Sequence, residues 1–146
     1  MDEFIVKALS VIRSSPGLDD EAIFERLVSS GIEPSLADRL QAFLPMAYTR
    51  LLLEKSGARF SDCFEEEMPD GEVTQRPLSS EPAWNASITF ARAEIARGIS
   101  AQDLFSVAGR SAELDAANQA LNAGRKLDDG VFGPSRILWS EKANEV

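Results

Sequence analysis

The chain has no histidine. That absence removes Ser-His-Asp and Cys-His catalysis, histidine metal sites and a histidine pH switch. Cysteine is almost missing too. Cys63 stands alone, so no intrachain disulfide can form and a reducing compartment is expected. It sits beside Asp62 and close to Glu65, and neighbouring carboxylates disfavour a thiolate. Cys63 therefore reads as a half-buried structural residue. There is no Walker A pattern, no Gly-x-Gly-x-x-Gly and no paired-cysteine zinc motif. No apolar run approaches the ~18 residues of a membrane span. The opening Met1-Asp2-Glu3 is acidic and lacks the basic region and apolar block of a signal peptide, so cytoplasm is the expected location. Cations are scarce: 15 Lys and Arg face 24 Asp and Glu, a net charge of −9.

What is present describes a folded chain. At 146 residues it fits one domain, residues 1–146, with a core large enough to fold unaided. The fold class expected is mainly α: a bundle of five or six helices, with at most a small β-hairpin around residues 62–78. The longest apolar-periodic run is Ile32–Lys55. Leu36, Leu40, Phe43, Leu44, Ala47, Tyr48, Leu51 and Leu52 recur at helical spacing and form a core-facing stripe. Pro34 suits a first turn, Ser35 with Asp38 resembles a capping box, and Gly57 supplies a stop. Pro45 lies inside the stripe. It has no N–H for the Gln41 carbonyl and its ring crowds that carbonyl, a cost of roughly 3 kcal/mol in a straight helix. A kink or a junction of two helices is expected there. The polar residues of the run form no recognisable site, so it reads as scaffold.

Shorter helices flank this run. Residues 2–14 carry an apolar face of Phe4, Ile5, Ala8, Leu9, Val11 and Ile12, ended by Ser14-Ser15-Pro16-Gly17. Asp19 caps a second helix that buries Ile23, Phe24, Leu27 and Val28, and Gly31 ends it with Ile32 placed to touch Leu27. After residue 82, Trp84, Ile88, Ala91 and Ile95 mark one face of a helix that Gly98 ends. Ser100 with Asp103 opens a short helix that Gly109 breaks. Ser111 opens a last helix with Leu114, Ala117 and Leu121 inward, ending at Gly124. The tail, residues 128–146, carries Phe132, Ile137, Leu138 and Trp139, and that much apolar area is expected to pack back on the core.

Residues 58–82 differ from the rest. They hold 2 basic and 7 acidic groups, more than half the net charge of the chain. Pro69-Asp70-Gly71 is a turn signal with a mechanism: proline presets φ, aspartate caps, glycine takes positive φ. The flanks 62–68 and 72–78 could pair as a hairpin, with Pro77 confining its strand to an edge. The cluster Glu65-Glu66-Glu67-Met68-Pro69-Asp70-Gly71-Glu72 fails an EF-hand register. With Asp70 and Gly71 in place, Met68 and Pro77 fall on ligand positions. No metal or other cofactor is implied, and no catalytic residue can be named. A solvated acidic turn and a docking surface for a basic partner are the two readings that remain. The docking surface would comprise Glu65, Glu66, Glu67, Asp70, Glu72 and Trp139.

Ile23–Leu44 can be laid on a helix-turn-helix template with Gly31 at the turn. The second helix then offers Arg39 against Glu33 and Asp38, a poor match to phosphate. No nucleic-acid or membrane partner is therefore expected. The sequence points to a small, acidic, non-catalytic protein-binding module of the immunity, antitoxin, secretion-chaperone or adaptor kind. A homodimer is compatible with the composition. The alternative is an enzyme with a carboxylate-based or metal-assisted site.

Overall fold

Helices α1 (Glu3–Arg13), α2 (Asp20–Ser29) and α3 (Pro34–Leu53) come first. A 3-10 turn, Glu54–Ser56, leads to strands β1 (Arg59–Phe60), β2 (Cys63–Glu67) and β3 (Val73–Pro77). A second 3-10 turn, Leu78–Ser80, opens α4 (Pro82–Ala96), followed by α5 (Ala101–Ala108) and α6 (Ala112–Asn122). Two short strands, β4 (Val131–Phe132) and β5 (Ile137–Leu138), return to the sheet region. This computed structural model describes residues 3–15, 18–126, 131–132 and 137–138. The architecture is mainly α, as the hydrophobic periodicity requires.

The helix boundaries follow local chemistry. Asp19, Ser100 and Ser111 each accept a backbone N–H of the first turn of α2, α5 and α6. Gly31, at φ 99°, ends α2, and the Ile32 N–H reaches the Leu27 carbonyl at 3.0 Å in a Schellman closure. The start of α3 differs from expectation. Its N-cap is Glu33 with no side-chain cap bond, and the Ser35 hydroxyl turns to Glu33 at 3.4 Å, so the Ser35–Asp38 box does not form.

Helix α3 is the centre. It packs against α1, α2, α4, α5 and α6. Every residue from Phe43 to Arg50 is buried, so the expected stripe widens into a wall buried on all sides. The helix runs unbroken through Pro45, which is itself buried. The two-helix alternative is therefore set aside. Packing on every side offsets the lost backbone bond. The Thr49 hydroxyl donates to the Pro45 carbonyl at 3.0 Å and lies 3.3 Å from the Ala108 carbonyl, which ties α5 to this point.

Helix α4 corrects the reading of its face. The buried residues are Ala83, Ser87, Phe90 and Ala91, whereas Trp84 and Ile88 are half-buried and Ile95 is exposed. Ala83, Ser87 and Ala91 fall one helical turn apart, and small side chains let two helix backbones approach closely. The tryptophan sits at the flank of that contact, with its ring 6.1 Å from Phe43. Phe4, Val28 and Leu121 were also expected inward and are exposed. Each lies at the rim of a helix face whose centre is taken by a neighbour: Leu9, Leu27 and Ala117, respectively.

The sheet region exceeds the hairpin that was expected. The β2–β3 hairpin is there, antiparallel from Cys63 opposite Pro77 to Glu67 opposite Val73. In addition, β5 joins β2 in parallel and β4 joins β1 in parallel. The order is β3-β2-β5, so β2 is central and β3 is an edge. The chain after residue 126 thus meets the sheet at these two strands. Trp139 lies outside the described residues.

Arg50 locks β1 and α6 to α3. Its guanidinium makes a bidentate pair with Glu113, at 3.1 and 2.8 Å, and donates to the Ser61 carbonyl at 3.0 Å. Its Cζ lies 4.9 Å from the Phe60 ring centroid and 5.2 Å from that of Trp84. The charge is thus buried but satisfied.

Candidate functional site

The acidic hairpin is built from its turn outward. Met68 accepts from the Gly71 N–H at 2.9 Å, and the Met68 N–H donates to the Glu72 carbonyl at 2.8 Å. Gly71 adopts φ 89°, and Asp70 accepts from the Glu72 N–H at 3.0 Å. This is a three-residue hairpin loop closed by a glycine bulge, the arrangement that Pro-Asp-Gly favours. At the other end the Leu78 N–H reaches the Asp62 carbonyl at 2.7 Å.

Alternation sorts the side chains. Phe64 and Glu66 on β2 face the helices, with Arg76 and Thr74 opposite them on β3. Phe64 is buried and meets the Phe43 ring edge-on at 5.5 Å. Burying that ring stabilises the attachment by roughly 2–3 kcal/mol. Cys63, Glu65 and Glu67 take the other face and are half-buried.

Glu66 is the anchor. It is 2% exposed, and both its oxygens are engaged. Oε1 accepts from Arg39 of α3 at 2.9 Å and Oε2 from Arg76 of β3 at 2.8 Å. Arg39 also approaches Glu81 at 3.4 Å. Glu81 is equally buried, and it caps α4 by accepting from the Ala83 N–H at 3.3 Å. The hydrogen bond to Glu66 pushes the Arg76 guanidinium above its ordinary range, with burial opposing and the charges of Glu66 and Glu81 assisting. One network therefore joins α3, the hairpin and the start of α4. Buried ion pairs of this kind fix geometry more than they add stability.

This network corrects the expected docking surface. Glu66 points inward and offers nothing to a partner. Asp70 and Glu72 are exposed at the hairpin tip, as is Asp62 at its base. Beyond the helices the inner face of the hairpin continues as an open groove of about 580 Å³, lined by Met68, Pro69, Asp70, Glu72 and Thr74 and ending at the Glu66–Arg76 pair. Among the described residues no group of three or more Cys, Asp or Glu side chains is placed to hold a metal ion, and no helix is long and apolar enough to cross a membrane. Comparison with protein-family models, curated proteins and solved structures finds no match.

Sequence reasoning missed Arg39, Arg76 and Glu81. A signal for the first existed. Arg39 and Arg50 are eleven residues apart, three helical turns, so they share one face of the most apolar run in the chain. Two arginines so placed require buried acceptors.

Proposed function

We propose that this chain is a small, non-catalytic protein-binding module of the cytoplasm. Its docking surface is the hairpin from residue 62 to 78, and its partner is a basic protein. The observation that carries this reading is the anchored tip. Asp70 and Glu72 project into solvent from a hairpin whose base is fixed by Glu66, Arg39, Arg76 and the Phe43–Phe64 contact. A preorganised surface loses little freedom on binding. Roles that use such a surface include an immunity protein, an antitoxin, a secretion chaperone and an adaptor. The carboxylate-based enzyme reading is not favoured, because the two buried carboxylates of the region, Glu66 and Glu81, are both engaged by arginine.

Electrostatic docking has a salt signature. A basic protein captured from native lysate on immobilised chain at low salt should be released at high salt. It should also be lost with Asp70→Asn/Glu72→Gln. Equal recovery of the same partners on both proteins at both salt concentrations would remove the hairpin tip from the reading.

A further inference from the structure

We propose that β3 is a strand-acceptor edge, occupied by an extended, basic segment of the partner protein that adds to the sheet as a further strand. The inference rests on the docking reading above and specifies its mode.

Among the described residues the edge is open along its length. Among the described residues β3 pairs with β2 alone, and four of its five residues are exposed. The ladder closes with Met68–Glu72 at the tip and Asp62–Leu78 at the base. Alternation then turns the N–H and C=O of Val73 and Gln75 away from β2. These groups, with the Pro77 carbonyl, form the acceptor row of an added strand. Val73, 44% exposed, stands on the outer face as an apolar contact for that strand.

Charge selects the occupant. Glu66 and Glu81 are neutralised by Arg39 and Arg76. Three exposed acids, Asp62, Asp70 and Glu72, lie along the hairpin, and its one basic residue, Arg76, is held by Glu66. A second copy pairing through β3 would set two such hairpins about 5 Å apart, well inside the ~8–10 Å screening length. Like charges make that arrangement unfavourable, and a basic strand makes it favourable. The groove adds discrimination. Met68 and Pro69 line it for an aliphatic stem, while Asp70 and Glu72 supply carboxylates for the cationic head of a lysine or arginine.

The test uses the full chain and a short dye-labelled peptide of alternating lysine and threonine. A second peptide has the same sequence but carries N-methyl groups on one edge, which removes backbone donors and keeps the charge. The protein variant Gln75→Pro removes an N–H that the β2–β3 ladder does not use. Strand addition predicts that the N-methylated peptide, which loses two or so hydrogen bonds, binds about tenfold or more weakly, and that Gln75→Pro, which loses one, weakens binding about fivefold. It also predicts that the Val73 and Gln75 amides gain protection from exchange in the complex. Binding that ignores both changes but is lost with Asp70→Asn/Glu72→Gln overturns strand addition and leaves the docking reading standing. Absence of peptide binding at low salt overturns both. A dimer of the free chain that Gln75→Pro dissolves overturns the choice of occupant.

Discussion

Arg50 and Glu113 allow a quantitative test of how this fold is held. Both side chains are nearly sealed, at 10% and 2% exposure. Take the cycle Arg50→Met, Glu113→Leu and the double variant. Removing Glu113 strands a buried guanidinium, which costs about 3–5 kcal/mol. Three contacts soften that loss. The Ser61 carbonyl at 3.0 Å still accepts from Arg50. The Phe60 and Trp84 rings each retain about 1 kcal/mol of cation–π attraction. Glu113→Leu should therefore fall at the low end, about 3 kcal/mol. Arg50→Met loses the pair, the Ser61 bond and both ring contacts, and leaves a carboxylate sealed, so about 5 kcal/mol is expected. The double variant replaces charge with apolar volume. It should cost no more than the milder single change, giving a coupling of at least about 5 kcal/mol. Urea unfolding at neutral pH measures this, provided the slope is unchanged. By melting, Glu113→Leu should lower Tm by roughly 10 °C for a chain of this length. Two single variants that each cost under ~1 kcal/mol would be behaving as an exposed ion pair, and the argument would be refuted.

Three further outcomes are expected. Tyr48 is fully buried, and its hydroxyl is pushed up to about 12 by burial and by Glu94, with the charges of Arg13 and Arg97 opposing. A folded value raised above the usual ~10 means stability is intact below pH 10 and is lost from there towards pH 12. Because Tyr48 is the single tyrosine, absorbance at the tyrosinate band reads it directly, and an inflection near ~10 in a chain still folded by circular dichroism refutes the shift. Glu66→Gln should destabilise by about 2–4 kcal/mol and accelerate amide exchange in β2 and β3 before the helices. Uniform acceleration across the chain would show that the network is not what fastens the hairpin. The Ser87 hydroxyl is buried with no hydrogen-bond partner among the described residues, so Ser87→Ala should stabilise by about 1 kcal/mol, and a loss of that size would reveal a partner.

Much of the fold was legible because its signals are local. Asp19, Ser100 and Ser111 start helices, Gly31 and Gly98 at positive φ end them, and Pro69-Asp70-Gly71 closes the hairpin. Each acts within a few residues. What was not legible depends on partners far along the chain. The face of α4 was read from its bulkiest residues, yet close packing on α3 selected Ala83, Ser87 and Ala91. Glu66 looked like one of three equivalent surface carboxylates. Its burial follows from strand alternation together with Arg39, which is 27 residues away in sequence. The parallel pairing of β4 and β5 has no local signal at all, since two-residue strands are defined by what they return to.

Pro77 closes β3 and has no N–H to offer. An open strand edge is a template: whatever adds to it can present a fresh edge to the next molecule, and growth can continue into a fibre. At Pro77 the row of donors stops, and the acidic residues alongside repel further copies of the same chain. The edge is therefore short and asymmetric, with donors at Val73 and Gln75 and only a carbonyl at its base. Such an edge has a capacity of one short segment. It can be exposed in a concentrated solution without seeding polymerisation, and replacing Pro77 with a β-branched residue would lift that limit.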